Sequence, residues 1–319
     1  MAGINMQQML LEQYGIQALS LGPVPSGWSA SAWMVQADSG DYFLKVYDKH
    51  KPSTKVWVAR IDSYMPVVLW LQANTGLQGS MSAPLLTKDG RYKWEDEAFL
   101  CMVFPFIHGQ TIGGDKLTPE QARAIARIVA ELHSHGAEIP VSTGDLLETY
   151  DISFCDALNQ WMGNLHGPAR WVEALTPHKD AIVRATAALQ KAAAGLRQSQ
   201  PPLVLCHTDI HGWNLMQADS LMLIDWEGLR LAPVEADLFS FTETFFFDSA
   251  WQEFLPVYRS VHKNFEVNAD AMGYYRLRRR LEDVHAFSES ILLDDLTAQE
   301  MERSLYYLNR ECAQLHGML

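Results

Sequence analysis

The sequence predicts an α+β chain in two lobes, a small N-terminal antiparallel-sheet lobe followed by a larger, mainly helical C-terminal lobe. Three observations predict it. Short strand-like runs separated by turn residues fill the first third, as in Tyr42-Phe43-Leu44-Lys45-Val46-Tyr47. Long runs with apolar residues at helical intervals fill most of the rest, Gly273 to Leu292 and Thr297 to Leu315 among them. The length, 319 residues, exceeds the size at which one hydrophobic core keeps growing. The division is placed where the last N-terminal strand ends, giving residues 1–104 and 105–319.

In the first part, Ala18-Leu19-Ser20-Leu21 reads as a strand and Gly22-Pro23-Val24-Pro25-Ser26-Gly27 as a turn-rich break. Strands over Ala32 to Gln36 and Tyr42 to Tyr47 flank Ala37-Asp38-Ser39-Gly40-Asp41, a hairpin turn. Lys55 to Asn74 carries Val56, Val58, Ile61, Met65, Val68, Leu69 and Leu71 at helical spacing. Ser82 to Thr87 and Ala98 to Val103 read as a second hairpin about Lys88-Asp89-Gly90-Arg91. It runs into Phe104-Pro105-Phe106-Ile107-His108-Gly109, where a strand closes at a proline as a hinge between lobes would.

Beyond the hinge, Thr118 caps a helix, Pro119 takes its first position and Gln121 can close a capping box. That helix stops at His135-Gly136, and further helices are expected over Tyr150 to Leu165 and Val172 to Gln198. Ala232 to Leu238 supplies a turn and a cap for a helix reaching Thr242. Arg276, Arg278, Arg279 and Arg280 read as a mostly solvated basic face, with phosphate contact the minority reading.

Composition narrows the function classes. Hydrophobic residues make up 48% of the chain, with ten Trp, so core material is ample and disorder is not expected. Met1 to Ser20 lacks a basic start and an unbroken apolar stretch, so it does not read as a signal peptide. No run reaches the length of a membrane span. Cys101, Cys155, Cys206 and Cys312 lie far apart, as in a reduced cytoplasmic chain without a zinc or disulfide framework. A formal net charge of −13 argues against nucleic acid as a partner. It suits a cationic small substrate, and equally an acidic surface kept for solubility.

The chemistry sits in His207-Thr208-Asp209-Ile210-His211-Gly212-Trp213-Asn214, followed by Leu223-Ile224-Asp225-Trp226-Glu227. An Asp and an Asn five positions apart can face one small volume from a single loop. Leu215-Met216 and Leu221 to Ile224 about a polar four-residue turn read as a hairpin that returns Asp225 beside Asn214. This is the spacing of kinase-type phosphoryl transfer, which needs positioning and charge neutralisation more than covalent help. Asp209 then orients and deprotonates an attacking hydroxyl. Asn214 and Asp225 offer the hard oxygens that Mg²⁺ prefers, whereas zinc would want thiolates or imidazoles. Lys45, amid apolar residues on the third strand, stands where a kinase places its phosphate-contacting lysine; an edge lysine pointing to solvent reads the same in isolation. Asp62, the one interior acid of the Lys55–Asn74 helix, is the expected partner of Lys45, or else a solvated side chain.

Phe43-Leu44-Lys45, Phe104 to Gly109, Cys206 to Asn214, Ile224 to Glu227 and Pro233 to Leu238 together resemble the aminoglycoside phosphotransferase family over almost the whole chain. The His-x-Asp-Ile-His-x-x-Asn form, Tyr274-Tyr275-Arg276 and Leu281-Glu282-Asp283 are most similar to its spectinomycin phosphotransferase branch. The resemblance implies a bilobal protein-kinase-like fold. It implies ATP (or GTP) and Mg²⁺ as cofactors, Asp209 as base, and Asn214 and Asp225 as metal ligands. Lys45 would contact the nucleotide phosphates, and the backbone near Phe104 and Phe106 would hold the nucleotide base. The acceptor would be a small, cationic molecule bearing a hydroxyl, first an aminoglycoside or aminocyclitol such as spectinomycin, with Glu227 and Asp283 meeting its ammonium groups. Choline, homoserine, methylthioribose and fructosamine kinases share the motif, so a metabolic small-molecule kinase is the alternative; a non-catalytic nucleotide-binding protein is a third. Gly27 and Ser31 stand where the family often has paired Gly and an Asn, and Asp62 where it usually has Glu.

Overall fold

The computed structural model describes residues 4–25, 30–242 and 250–318. Its first part is a five-stranded antiparallel sheet in the order β1-β2-β3-β5-β4, formed by Ala18–Val24, Ser31–Ala37, Gly40–Asp48, Phe99–Pro105 and Trp94–Glu95 in the order β1, β2, β3, β5, β4. Alternation along β3 divides its side chains between two cores. Leu44 and Val46 face a small core with Val35, Cys101 and Val103, closed by Met9, Leu10 and Ile16 from the N-terminal helical segment. That segment is α1 (Met6–Met9) continued by a π-helical turn to Tyr14. Lys45 and Tyr47 take the opposite face, where Tyr47 joins Ile61, Tyr64 and Val68 of α2 (Lys55–Asn74) in the main core. Period two thus aims Lys45 toward the rest of the molecule.

Two strand expectations are corrected. β1 continues through Gly22-Pro23-Val24, with Pro23 opposite Trp33. It is an edge strand, where a missing N–H costs no ladder bond. Ser26 and Gly27 of the expected break lie outside the described residues. Ser82 to Thr87 is not a strand; β4 pairs with β5 instead, Trp94 against Cys101 and Glu95 against Leu100. Leu85 keeps one bond to the Val103 carbonyl, at 2.7 Å.

The second part is mainly helical. α3 (Pro119–Leu132) opens with the full capping box of Thr118 and Gln121. α4 spans Phe154–Gly163, shorter than expected. The Val172 to Gln198 expectation resolves into α5 (Ala169–Leu175), a 3-10 turn containing Pro177, and α6 (Lys179–Ser199). The proline, which cannot donate and resists a helical predecessor, marks the break. α7 (Glu235–Leu238) runs into a 3-10 turn to Thr242, and α8 (Ala250–Val261), which the sequence reading missed, packs on α3. α9 (Ala269–Leu293) is the central helix, touching α4, α6, α7 and α10 (Ala298–Leu315). Burial on several sides explains why its arginines are not a solvated face. Arg278 pairs with Glu148 and Glu282, Arg279 with Asp209 and Asp283, and Arg280 with Glu311. Arg276 donates to the Thr242 hydroxyl at 2.7 Å. No helix among the described residues is long and apolar enough to cross a membrane.

Short ladders flank the loop from His207 to Asn214 and the segment at Asp225. β7 (Val204–Cys206) pairs with β10 (Arg230–Ala232), and β8 (Leu215–Gln217) pairs with β9 (Leu221–Leu223) and β6 (Gln110–Thr111).

Candidate active site

The loop from His207 to Asn214 is suspended from one buried carboxylate. Asp237, on α7 and wholly buried, accepts the backbone N–H groups of His207 and Thr208. Its Oδ2 also meets His133 Nε2 at 3.0 Å, and the Tyr258 hydroxyl lies 2.8 Å from His133 Nδ1. With the Tyr258 hydroxyl donating to Nδ1 and the His133 Nε2–H donating to Asp237, both ring nitrogens of His133 are satisfied. Cys206 completes the cluster, its Sγ 3.7 Å from His133 Nε2.

His207 fastens the loop to the next segment. Its ring is fully buried, takes the Asp209 amide at Nδ1 (3.3 Å) and donates from Nε2 to the Ile224 carbonyl (3.0 Å). Burial depresses its basicity below the ordinary histidine value, in keeping with this neutral tautomer. Two glycines permit close approach. A Cβ on Gly212 would lie 2.0 Å from the Gly113 carbonyl, and one on Gly228 2.6 Å from Thr208 Oγ1. Thr208 and Asp225 take left-handed backbone angles, φ 66° and 67°. Such angles cost energy for non-glycine residues and persist where the surroundings over-determine them.

The β8–β9 hairpin forms, with Leu215 opposite Leu223, and the Ile224 amide reaches the Asn214 carbonyl at 3.0 Å. Asn214 and Asp225 therefore leave adjacent strand ends. The Asn214 amide nitrogen is spent on Asp209, at 2.9 Å to the carbonyl and 3.0 Å to Oδ2, so its amide oxygen is turned from Asp209. An amide oxygen and a carboxylate at neighbouring positions form a donor set fit for a hard divalent cation.

Lys45 reaches this rim from the sheet. Its Nζ lies 2.8 Å from Asp225 Oδ1 and 2.7 Å from Glu227 Oε1. Burial alone would depress the ammonium; Asp225 and then Glu227 outweigh it and raise the pKa above its usual value. Tyr47 donates its hydroxyl to the same Glu227 oxygen. Burial lifts the Glu227 carboxyl despite Lys45.

Asp62 is elsewhere. It is 62% exposed and bound by Lys93 (2.7 Å) and the Tyr92 hydroxyl (2.8 Å). The expected Lys45–Asp62 pair is thus replaced by Lys45–Asp225–Glu227: Asp62 sits on a face of α2 turned to Lys93, away from β3. Glu227, expected at an acceptor's ammonium, is instead inside the protein under Lys45 and Tyr47, with only 8% exposed. Phe104 packs edge-on to Phe43, and the Phe106 amide donates to the Asp41 carbonyl at 3.1 Å.

Two residues beside Asp209 escaped the sequence reading. Arg279 donates to Asp209 Oδ1, and His211 Nε2 lies 3.3 Å from the same oxygen. Against the raising effect of burial, Arg279 and His211 hold the Asp209 carboxyl well below the usual range. Arg279 also donates from Nε to Asp283 Oδ2 at 3.0 Å, and Asp283 is raised by burial. His211 lay inside the motif and could have been found there. For Arg279 the only signal was its i,i+4 spacing to Asp283.

A loop hung on a buried Asp, with Asp209, Asn214, Asp225 and Lys45 on one rim, agrees with the sequence comparison. A model of the phosphotransferase enzyme family matches residues 20–270. The chain belongs to that family. No curated protein sequence matches it significantly. Among solved structures, spectinomycin phosphotransferase APH(9)-Ia with ADP and spectinomycin is 20% identical with a TM-score of 0.76, covering 98% of this chain and 97% of that one. A microcompartment-associated aminopropanol kinase is 18% identical, with TM-score 0.65 and coverage of 98% and 95%. Choline kinase LicA from Streptococcus pneumoniae is 13% identical, with TM-score 0.61 and coverage of 97% and 98%. The fold is the kinase-like one of this family, and the chain is a small-molecule phosphotransferase.

Proposed function

We propose that the chain transfers the γ-phosphoryl group of ATP, or of GTP, to a hydroxyl of a small cationic molecule. An aminoglycoside or aminocyclitol such as spectinomycin is the first acceptor class, and a metabolic amino alcohol of the aminopropanol or choline type is the alternative. The first rests on the likeness to the spectinomycin enzyme, and the second on that to the aminopropanol and choline kinases. Carrying the reading is the convergence of Asp209, Asn214, Asp225 and Lys45, which come from three separate segments of the chain.

In this reading the acceptor oxygen attacks the γ-phosphorus, its proton passes to Asp209, and the bond to the bridging oxygen breaks. Lys45 would meet the nucleotide phosphates, its ammonium held by Asp225 and Glu227. Mg²⁺ held by Asn214 and Asp225 would neutralise phosphate charge. The nucleotide base would lie along Phe104 to Phe106, where residues 1–104 meet residues 105–319. A cytoplasmic location and a role in antibiotic resistance belong to the same proposal.

The test is magnesium-dependent phosphate transfer from ATP across spectinomycin, other aminoglycosides, 1-amino-2-propanol, choline and homoserine. Asp209→Asn should keep nucleotide binding and lose about 10²–10⁴-fold in transfer, the usual worth of a positioned base. Equal rates for the variant would remove Asp209 from that role, and nucleotide binding without transfer to any acceptor would leave a binding protein.

A further inference from the structure

The arginines of α9 that lie nearest the catalytic-type loop are paired. Arg278 meets Glu148 and Glu282, and Arg279 meets Asp209 and Asp283. Two arginines on the elements beside them are not. Arg60, in the second turn of α2, makes a single side-chain bond, from Nη2 to the Leu229 carbonyl at 3.3 Å. Arg230, the first residue of β10, has no side-chain hydrogen bond or ion pair among the described residues. Both residues are half-buried.

The Leu229 bond sets the Arg60 guanidinium beside the residue that precedes Arg230. Burial pushes the Arg60 pKa down to about 10, and Arg230 is the next largest cause. A guanidinium keeps its proton at neutral pH, so two like charges stand close together with no carboxylate bonded to either. A half-buried cation left this way is costly. The nearby acids do not balance the pair. Glu282 of α9 and Glu148, whose amide donates to the Leu231 carbonyl at 2.8 Å, are both bonded to Arg278. Arg60, Arg230 and Arg278 against Glu148 and Glu282 leave one positive charge in excess.

We propose that Arg60 and Arg230 form a binding site for a tetrahedral oxyanion, a phosphate or sulfate group held between α2 and β10 and distinct from the nucleotide phosphates expected at Lys45. The guanidinium fork matches such a group through paired, charge-assisted N–H donors. Two forks arriving from different elements offer more donors than the two oxygens of one flat carboxylate can take, and a tetrahedral group meets them from several sides. The bound group would also have a mechanical effect. α2 packs on the turn from Trp226 to Gly228, so an oxyanion joining α2 to β10 braces that turn, and Asp225 and Glu227 with it. The site stands apart from the transfer reading, because neither arginine has a part in the reaction.

Calorimetric titration of inorganic phosphate into the full chain tests this, at constant ionic strength in chloride, with Mg²⁺ and a non-hydrolysable ATP analogue at saturation. The wild type should bind phosphate, and acetate more weakly. Arg60→Gln and Arg230→Gln should each weaken phosphate binding about tenfold, the worth of a charge-assisted hydrogen bond. Arg230→Lys, which keeps the charge and loses the fork, should fall between. Melting gives a readout that a merely structural arginine would not share. In chloride, Arg230→Gln should melt no lower than the wild type, because it removes one of two unpaired like charges. In phosphate the wild type should gain more than the variant, since a ligand stabilises the form that binds it.

No phosphate binding by the wild type, or equal binding by the Gln variants, would overturn the proposal. Loss of phosphate binding on adding the ATP analogue would also overturn it, by placing the anion at the nucleotide's own phosphates. Acetate bound as tightly as phosphate would replace it with a carboxylate site, and a lower melting point for Arg230→Gln in chloride would make Arg230 a structural residue. A chain that binds no nucleotide sinks the transfer reading, and the phosphate titration then stands without the analogue.

Discussion

At Lys45, burial works against the ammonium while Asp225 and Glu227 work for it, and the two carboxylates win. Removing the cation would leave both acids beside one another in a largely dry site. Lys45→Met should therefore cost about 3–5 kcal/mol, the range for breaking a buried ion pair from one side. Asp62 makes an exposed pair with Lys93, so Asp62→Asn should cost under about 1 kcal/mol. Urea unfolding of the two variants checks the contrast; similar losses would mean that Asp62 supports Lys45 after all. The difference between them was not legible in sequence. A lone Asp on the helix after the lysine strand was the natural partner, and the true partners lie 180 and 182 positions downstream.

Elements were legible where local chemistry decides them. The Lys55–Asn74 helix appears with those bounds, and the capping box at Thr118 starts its helix. The 82–87 strand failed because an extended, apolar run fits a loop beside a sheet as well as a strand within it. The loop holding Asp209 depends on backbone proximity, which glycine supplies. Gly212→Ala must move its loop away from Gly113, where a Cβ would sit 2.0 Å from a carbonyl oxygen. A displacement near 1 Å at a reacting group costs on the order of 10²-fold in rate, and transfer should fall accordingly. Gly195 lies exposed within α6 with open space around it, so Gly195→Ala should instead stabilise by about 0.5–1 kcal/mol. Paired measurements of rate and melting separate the two; normal transfer by Gly212→Ala would show that the close approach is dispensable.

Across the molecule, charge couples the site to stability. Asp209 is depressed in the folded protein, so the folded form binds that proton less tightly than the unfolded form. The resulting stability is fully present above the unfolded value of about 4 and is lost as pH falls through the lower folded value. Glu227 and Asp283 are raised, and their contribution has the opposite sign, present below about 4 and lost as pH rises through their folded values. Asp209→Asn deletes the first effect and also removes the repulsion that Asp209 adds at Asp283. Its stability should fall less steeply than that of the wild type on acidification below about pH 4, read by denaturant titration at a series of pH values. Identical slopes would mean that Arg279 and His211 do not hold the charge.

What the sequence determined by itself was the order of parts: a lysine strand, a helix, a hinge, then Asp209, Asn214 and Asp225 at fixed spacing. Those are local or short-range matters, set by periodicity, caps and a hairpin turn. Only the tertiary structure decided which charges meet. It turned Asp62 outward, drew Glu227 under Lys45, and brought Arg279 from α9 onto Asp209 across 70 positions. The physical reason is that a buried charge is stable only when an opposite charge arrives beside it. That partner is chosen by how elements pack, which no local pattern records.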